Sequence, residues 1–84
     1  MTRDQIQQWL EDRDLTVILA DGLDEAFLGI DDSDDQPRAV YSADKCVEIL
    51  ARDMTHEEAW EFFDFNVLGA YVGPQTPLYI RTPE

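Results

Sequence analysis

The chain is short of the residues that most often support catalysis, metal binding and disulfide formation. Its 84 residues include one cysteine, Cys46, one histidine, His56, and four glycines. A single cysteine cannot form an internal disulfide, and one cysteine with one histidine cannot complete a tetrahedral zinc site. The sequence contains no Gly-rich phosphate loop and no nucleophile elbow. We therefore expect a protein that is not an enzyme, with no catalytic residues, no metal and no cofactor.

Basic residues are also scarce, and this scarcity sets the charge of the molecule. Six Lys and Arg stand against nineteen Asp and Glu, which gives a formal net charge of −13 at pH 7. Direct binding to nucleic acid or to an anionic membrane is disfavoured, because both require cations on the protein. Basic partners are favoured. The alternative is that the acidity serves solubility alone.

Long apolar runs are missing as well. No stretch approaches the roughly 20 residues that cross a bilayer. The first residues, Met-Thr-Arg-Asp, do not resemble a signal peptide. The predicted location is therefore the cytoplasm, a reducing compartment that suits a free thiol.

Hydrophobic periodicity predicts one acidic α+β domain over residues 1–84. The predicted order is α-β-β-β-α-α-β. It favours a small antiparallel sheet of three to four strands, arranged as a meander, with about three helices packed on one face. Capping boxes at Thr2 with Gln5 and at Thr55 with Glu58, and an N-cap at Ser42, mark the helix starts. Helices are expected over roughly 3–12, after Ser42 and over 56–71, and strands over 15–20, 26–30, 38–41 and 78–81.

Acidic residues gather in two loops and along one helix. Between Asp14 and Pro37 there are eight acidic residues and no basic one. The predicted meander puts the two loop clusters at opposite ends of the second strand, roughly 15–20 Å apart. The third group forms a stripe at i, i+4 and i+7 on the face of the longest helix that is opposite its apolar side. The predicted partner-binding residues are Asp21, Asp24 and Glu25, then Asp31, Asp32, Asp34 and Asp35, then Glu57, Glu61 and Asp64.

Counted from Asp31, the second acidic loop matches only part of the pattern of a calcium-binding EF-hand loop. Gln36 stands where the loop needs glycine, and Ser42 stands where it needs a bidentate glutamate. The sequence does not match the EF-hand pattern. Weak divalent-ion binding by the residues from Asp31 to Asp35 stays open.

The longest helix offers an apolar candidate surface. Trp60 and Leu68 are expected as apolar contacts, either with the first helix or with a partner or second copy. Asn66 falls among the apolar positions and is expected to be buried and paired with backbone. Gly69 suggests that another element packs closely there. Cys46 lies on the apolar face of the second helix and is expected to be a core residue.

Five short motifs, spread over roughly residues 18–80, carry a family resemblance. They are Asp21-Gly22-Leu23-Asp24, Ala39-Val40-Tyr41, Asp44-Lys45-Cys46, the run from Phe65 to Gly73, and Thr76-Pro77. With these motifs the chain resembles a family of small uncharacterised acidic proteins of tailed phages and some bacteria. The resemblance implies a phage origin and assigns no chemistry to the motifs. The run from Asp31 to Asp35 is more acidic than in similar sequences.

Charge and resemblance together favour a non-enzymatic, phage-type binding or inhibitor protein in the host cytoplasm. Its acidic surface would mimic nucleic-acid phosphates and occupy the basic groove of a host defence or transcription protein, as an anti-CRISPR or anti-restriction protein does. The alternative is a small homo-oligomeric adaptor or structural protein, for example a homodimer, that binds through an exposed aromatic and apolar helix face.

Overall fold

The computed structural model describes residues 1–83, which form three α-helices and a three-stranded sheet. A 3-10 turn over Asp24–Ala26 precedes the first strand, and a π-helical segment over Phe63–Leu68 continues the third helix. The predicted α+β class is confirmed. The elements are α1 (Arg3–Asp12), β1 (Phe27–Asp31), β2 (Arg38–Ser42), α2 (Ala43–Leu50), α3 (His56–Phe62) and β3 (Leu78–Ile80).

Each α-helix begins at the residue that the sequence predicts. The Oγ1 of Thr2 accepts a hydrogen bond from the Gln5 amide at 3.2 Å, and the Gln5 side chain accepts one from the Thr2 amide at 2.9 Å. Thr55 and Glu58 repeat this reciprocal arrangement, and Ser42 caps α2. These bonds satisfy amides that have no partner inside the helix. The hydrogen bond from the Thr55 amide also lowers the pKa of Glu58.

The sheet has the order β1-β2-β3 and is mixed. β1 and β2 are antiparallel, with a bulge between Phe27 and Gly29. β3 pairs parallel with β2, with Val40 opposite Leu78 and Tyr41 opposite Tyr79. The predicted antiparallel meander is therefore wrong for the last strand. Two helices separate β2 from β3, and such a crossover returns the chain in the same direction.

The predicted strand over residues 15–20 does not form. This segment has no turn, no bend and no strand pairing. Its ends are held by side chains instead, since Tyr41 Oη accepts a hydrogen bond from the Ala20 amide at 2.9 Å and Gln75 Nε2 donates to the Thr16 carbonyl at 2.9 Å. Both edges of β2 are already occupied by β1 and β3. The outer edges of β1 and β3 are unpaired within residues 1–83, but the bonds to Tyr41 and Gln75 hold the segment where it joins neither edge.

Six aromatic rings form a continuous chain through the core and connect α1, the sheet and α3. Neighbouring ring centroids are between 5.4 and 6.2 Å apart, and four of the five contacts are edge-to-face. A guanidinium lies over the ring at each end of the chain, Arg13 at one end and Arg81 at the other. The order of rings is Trp9, Phe27, Tyr41, Tyr79, Phe63 and Trp60.

The third helix is shorter and less regular than predicted. It leaves α-helical geometry after Phe62, and its π-helical continuation ends at Leu68. Asn66 was predicted to be buried but is exposed, although its Nδ2 does donate to the Phe62 carbonyl at 3.3 Å. A Cβ on Gly69 would lie 3.1 Å from the carbonyl oxygen of Phe65. The close approach at Gly69 therefore comes from its own helix and not from another element.

Candidate partner-binding surface

All six basic side chains are engaged within the protein. Four of them make ion pairs, and two donate to backbone carbonyls. Within residues 1–83, only Arg13 and Arg38 keep a positive charge without an ion pair, far fewer than the remaining carboxylates. The contacts are Arg3 with Asp24, Lys45 with Glu48, Arg52 with Glu25, Arg81 with Asp44, Arg13 with the Trp9 carbonyl, and Arg38 with the Thr76 carbonyl.

The first predicted acidic cluster is the one that the arginines partly neutralise. Arg3 lies 3.1 Å from Asp24 and 3.5 Å from Asp21, and Arg52 lies 2.8 Å from Glu25. The hydrogen bonds from Arg52 lower the pKa of Glu25. Asp21 remains fully exposed. This cluster therefore presents less negative charge than its sequence suggests.

Most other carboxylates have no ionic partner. Of the eighteen acidic residues in the described part of the chain, only Asp21, Asp24, Glu25, Asp44 and Glu48 make ion pairs. Thirteen are unpaired, and all of these except the half-buried Asp31 are exposed. The negative potential of the surface therefore comes from the second acidic loop, α1 and α3.

Local hydrogen bonds shape the second acidic loop. Asp31 Oδ1 accepts a bond from the Ser33 amide at 3.0 Å, and Asp34 Oδ1 accepts one from the Gln36 amide at 2.8 Å. These short turns fix the backbone between β1 and β2. The bonds from Ser33 lower the pKa of Asp31, so its carboxylate stays ionised at neutral pH. Asp32 and Asp35 point to solvent beside it.

All three residues of the predicted stripe on the third helix are exposed. Glu57 and Glu61 lie on α3, and Asp64 lies at the start of the π-helical segment. None of the three makes an ion pair with residues 1–83. The stripe is therefore an ordered row of unpaired charge.

The two residues predicted as apolar contacts, Trp60 and Leu68, differ in how exposed they are. Trp60 is half-buried, packs against Phe63 with centroids 5.9 Å apart and is covered by Arg81. It belongs to the core and is a poor contact residue. Leu68 is 53% exposed, and Phe65 nearby is 83% exposed.

An apolar hollow of about 340 Å³ lies beside the end of this helix and has no counterpart in the sequence predictions. Ile18 and Leu19 form one wall, Val67 of the π-helical segment forms another, and Tyr79 lies between them. The signal that could have located it is the excess of apolar residues around Leu68. Its position depends on segment 15–20 lying next to the helix, which is a tertiary contact.

Cys46 is inert in the folded protein. Its side chain is fully buried, and burial raises the pKa of the thiol to about 12. Since only the thiolate reacts, we expect Cys46 to resist alkylation by iodoacetamide at pH 8 and to react readily in denaturant. Mass spectrometry of the labelled protein measures this difference. Rapid labelling of the native protein would show that Cys46 is accessible.

His56 is exposed and lines a hollow of about 300 Å³ with Asp44, Glu48, Trp60 and Arg81. Asp44 and Arg81 form an ion pair there. No group of three or more His, Cys, Asp or Glu side chains within residues 1–83 is arranged to hold a metal ion.

No helix within residues 1–83 is long and apolar enough to cross a membrane. Comparison of the chain with protein-family models, curated proteins and solved structures finds no match.

Proposed function

We propose that this protein is a non-enzymatic, phage-type inhibitor that binds the basic groove of a nucleic-acid-binding host protein. The observation that carries the proposal is the unpaired surface charge. Thirteen carboxylates have no ionic partner in the described chain, while every basic side chain is engaged internally. Such a surface attracts a cationic groove and repels nucleic acid itself.

The stripe on the third helix gives this charge an order that suits a groove. Glu57 and Glu61 are separated by about 6 Å along the axis of α3, at about 1.5 Å per residue. This spacing is of the same scale as that of neighbouring phosphates on a nucleic-acid strand. The loop from Asp31 to Asp35 adds a second, separate anionic group that is shaped by its own hydrogen bonds.

Folding accounts for Glu57, which lies in the first turn of α3 and is stabilised by the helix dipole, but it gives no reason for Glu61 or Asp64. Like charges three or four residues apart destabilise a helix by about 0.2–0.5 kcal/mol per pair. Glu61 makes two such pairs, with Glu57 and with Asp64, and no lysine or arginine lies between them. A cationic partner removes this repulsion when it binds.

The test is competition with DNA. The protein, immobilised through a tag, is exposed to host lysate, and bound proteins are challenged with double-stranded DNA and separately with salt. We expect the retained protein to be a nucleic-acid-binding protein that DNA displaces, with an affinity that falls steeply as salt rises. Retention that neither DNA nor salt alters would contradict the proposal.

The exposed apolar helix end supports a second candidate, a homo-oligomeric adaptor. If Leu68 lies in a self-interface, Leu68→Glu should lower the apparent mass in solution, as measured by light scattering. Leu28 on the bulge of β1 is 52% exposed and so matches Leu68, and Leu28→Glu is the control that should leave the mass unchanged. A native protein that is monomeric at all concentrations would exclude this candidate.

A further inference from the structure

The segment between α1 and the turn at Asp21-Gly22 contains backbone groups without a hydrogen-bond partner in the described chain. The amides and carbonyls of Val17, Ile18 and Leu19 form no hydrogen bond with residues 1–83. Free backbone groups on an open chain are a template for pairing with another strand. Natural proteins usually protect such edges with proline, lysine or a bulge, and Leu-Thr-Val-Ile-Leu-Ala contains none of these.

The anchored ends of the segment indicate which side is open. Gln75 donates to the Thr16 carbonyl, while Ala20 donates to Tyr41 and accepts from Arg3. In an extended chain, the N–H and C=O groups of successive residues point to opposite sides. Thr16 and Ala20 therefore face the protein, and the backbone groups of Val17 and Leu19 face away from it.

Hollows lie on both sides of this segment. The apolar hollow of about 340 Å³ borders Ile18 and Leu19, and Val67 forms its far wall. A second hollow of about 300 Å³ borders Leu15 and Val17 on the side of α1. In strand addition, backbone bonds supply affinity and hollows for side chains supply selectivity. This segment has both unpaired backbone groups and adjacent hollows for side chains.

We propose that an extended segment of a partner protein adds as a β-strand to Val17–Leu19. Its apolar side chains enter the two hollows. Its flanking residues are lysine or arginine, because Glu11 and Asp14 before the segment make no ion pair within residues 1–83 and Asp21 after it is fully exposed, with a single 3.5 Å contact to Arg3. A second copy would bring the same carboxylates and is repelled. The inference that the partner is positively charged rests on the proposed function. The inference of strand addition rests on the unpaired backbone groups of Val17–Leu19.

A pair of synthetic peptides tests this inference. The first has a run of valines flanked by lysines, and the second has the same sequence with N-methyl groups on alternate amides. The methylated peptide keeps every side chain and charge but cannot pair along that edge. We expect it to bind at least about tenfold more weakly in calorimetry, because several hydrogen bonds are lost. The unmodified peptide should slow hydrogen exchange at the amides of Val17 and Leu19.

Substitutions at Val17 supply the matching test on the protein. Val17→Pro removes an outward amide and should abolish peptide binding, whereas Val17→Ala keeps that amide and should bind at least about tenfold more tightly than Val17→Pro. Circular dichroism verifies that both variants fold. If they bind equally, or if residues 17–19 exchange slowly in the free protein through self-pairing, the inference is overturned.

The outcomes separate this inference from the proposed function. Equal affinity for both peptides, falling with salt, overturns strand addition and leaves the acidic inhibitor in place. Preference for the unmodified peptide without salt dependence supports strand addition and counts against phosphate mimicry. Failure of both peptides to bind at low salt overturns strand addition.

Discussion

Replacing Phe63 with alanine should destabilise the protein by about 3–5 kcal/mol. Its ring is 1% exposed and meets Tyr79 of β3 edge-on at 5.4 Å and Trp60 at 5.9 Å. Truncation opens a cavity where the third helix contacts the last strand. A domain of this size has a stability of only about 4–13 kcal/mol, so the loss would be a large part of the total. Urea unfolding followed by circular dichroism measures it.

Phe65 provides the matched control two residues away. It is 83% exposed, and Phe65→Ala should change the stability by less than about 0.5 kcal/mol. Residues two positions apart lie on nearly opposite sides of a helix, so Phe63 is inside and Phe65 is outside. Similar losses for both variants would mean that the segment does not adopt this conformation in solution.

Neutralising the helix stripe should weaken binding to the basic partner with little change in stability. The triple variant is Glu57→Gln, Glu61→Gln and Asp64→Asn. If each charge contributes about 0.2–1 kcal/mol, the dissociation constant should rise between about threefold and about a hundredfold. Calorimetry with the partner identified by DNA displacement measures the change. Thermal unfolding should change little, because the repulsion removed from the helix offsets the lost interaction of Glu57 with the helix N-terminus.

The control removes three charges from other places. Asp4→Asn, Asp12→Asn and Asp53→Asn change exposed residues without an ion pair in the described chain that lie outside the stripe and the second acidic loop, and they reach the same net charge. We expect a smaller loss of affinity from this variant. An equal loss would show that the partner responds to total charge and that the stripe has no special part.

Local features could be predicted from the sequence, because the interactions that create them are local. The caps at Thr2, Ser42 and Thr55 join residues only three positions apart. The turn at Asp21-Gly22 likewise forms where it was predicted. Such features need no knowledge of the fold, since the residues that decide them lie within one turn of chain.

Features that depend on distant partners could not be predicted. Residues 15–20 have the composition of a strand, but the distant side chains of Tyr41 and Gln75 hold them away from both outer edges of the sheet. Net charge could be counted, whereas the pairing of Arg3 with Asp24 and of Arg52 with Glu25 joins residues 21 and 27 positions apart. Composition therefore gave the amount of charge on the surface, and the fold decided which carboxylates are left unpaired.

The parallel pairing of β3 has a consequence for how the molecule assembles. β1 and β2 meet through a short connection, from Asp31 to Arg38, whereas contacts such as Asp44 with Thr82 span 38 residues. Closing the longer loop costs more chain entropy, so the hairpin should form early and the last strand late on the folding pathway. Mutations in β3 should then accelerate unfolding and leave the refolding rate nearly unchanged in stopped-flow experiments. β3, the strand that pairs last, also supplies Tyr79, which lines the apolar hollow.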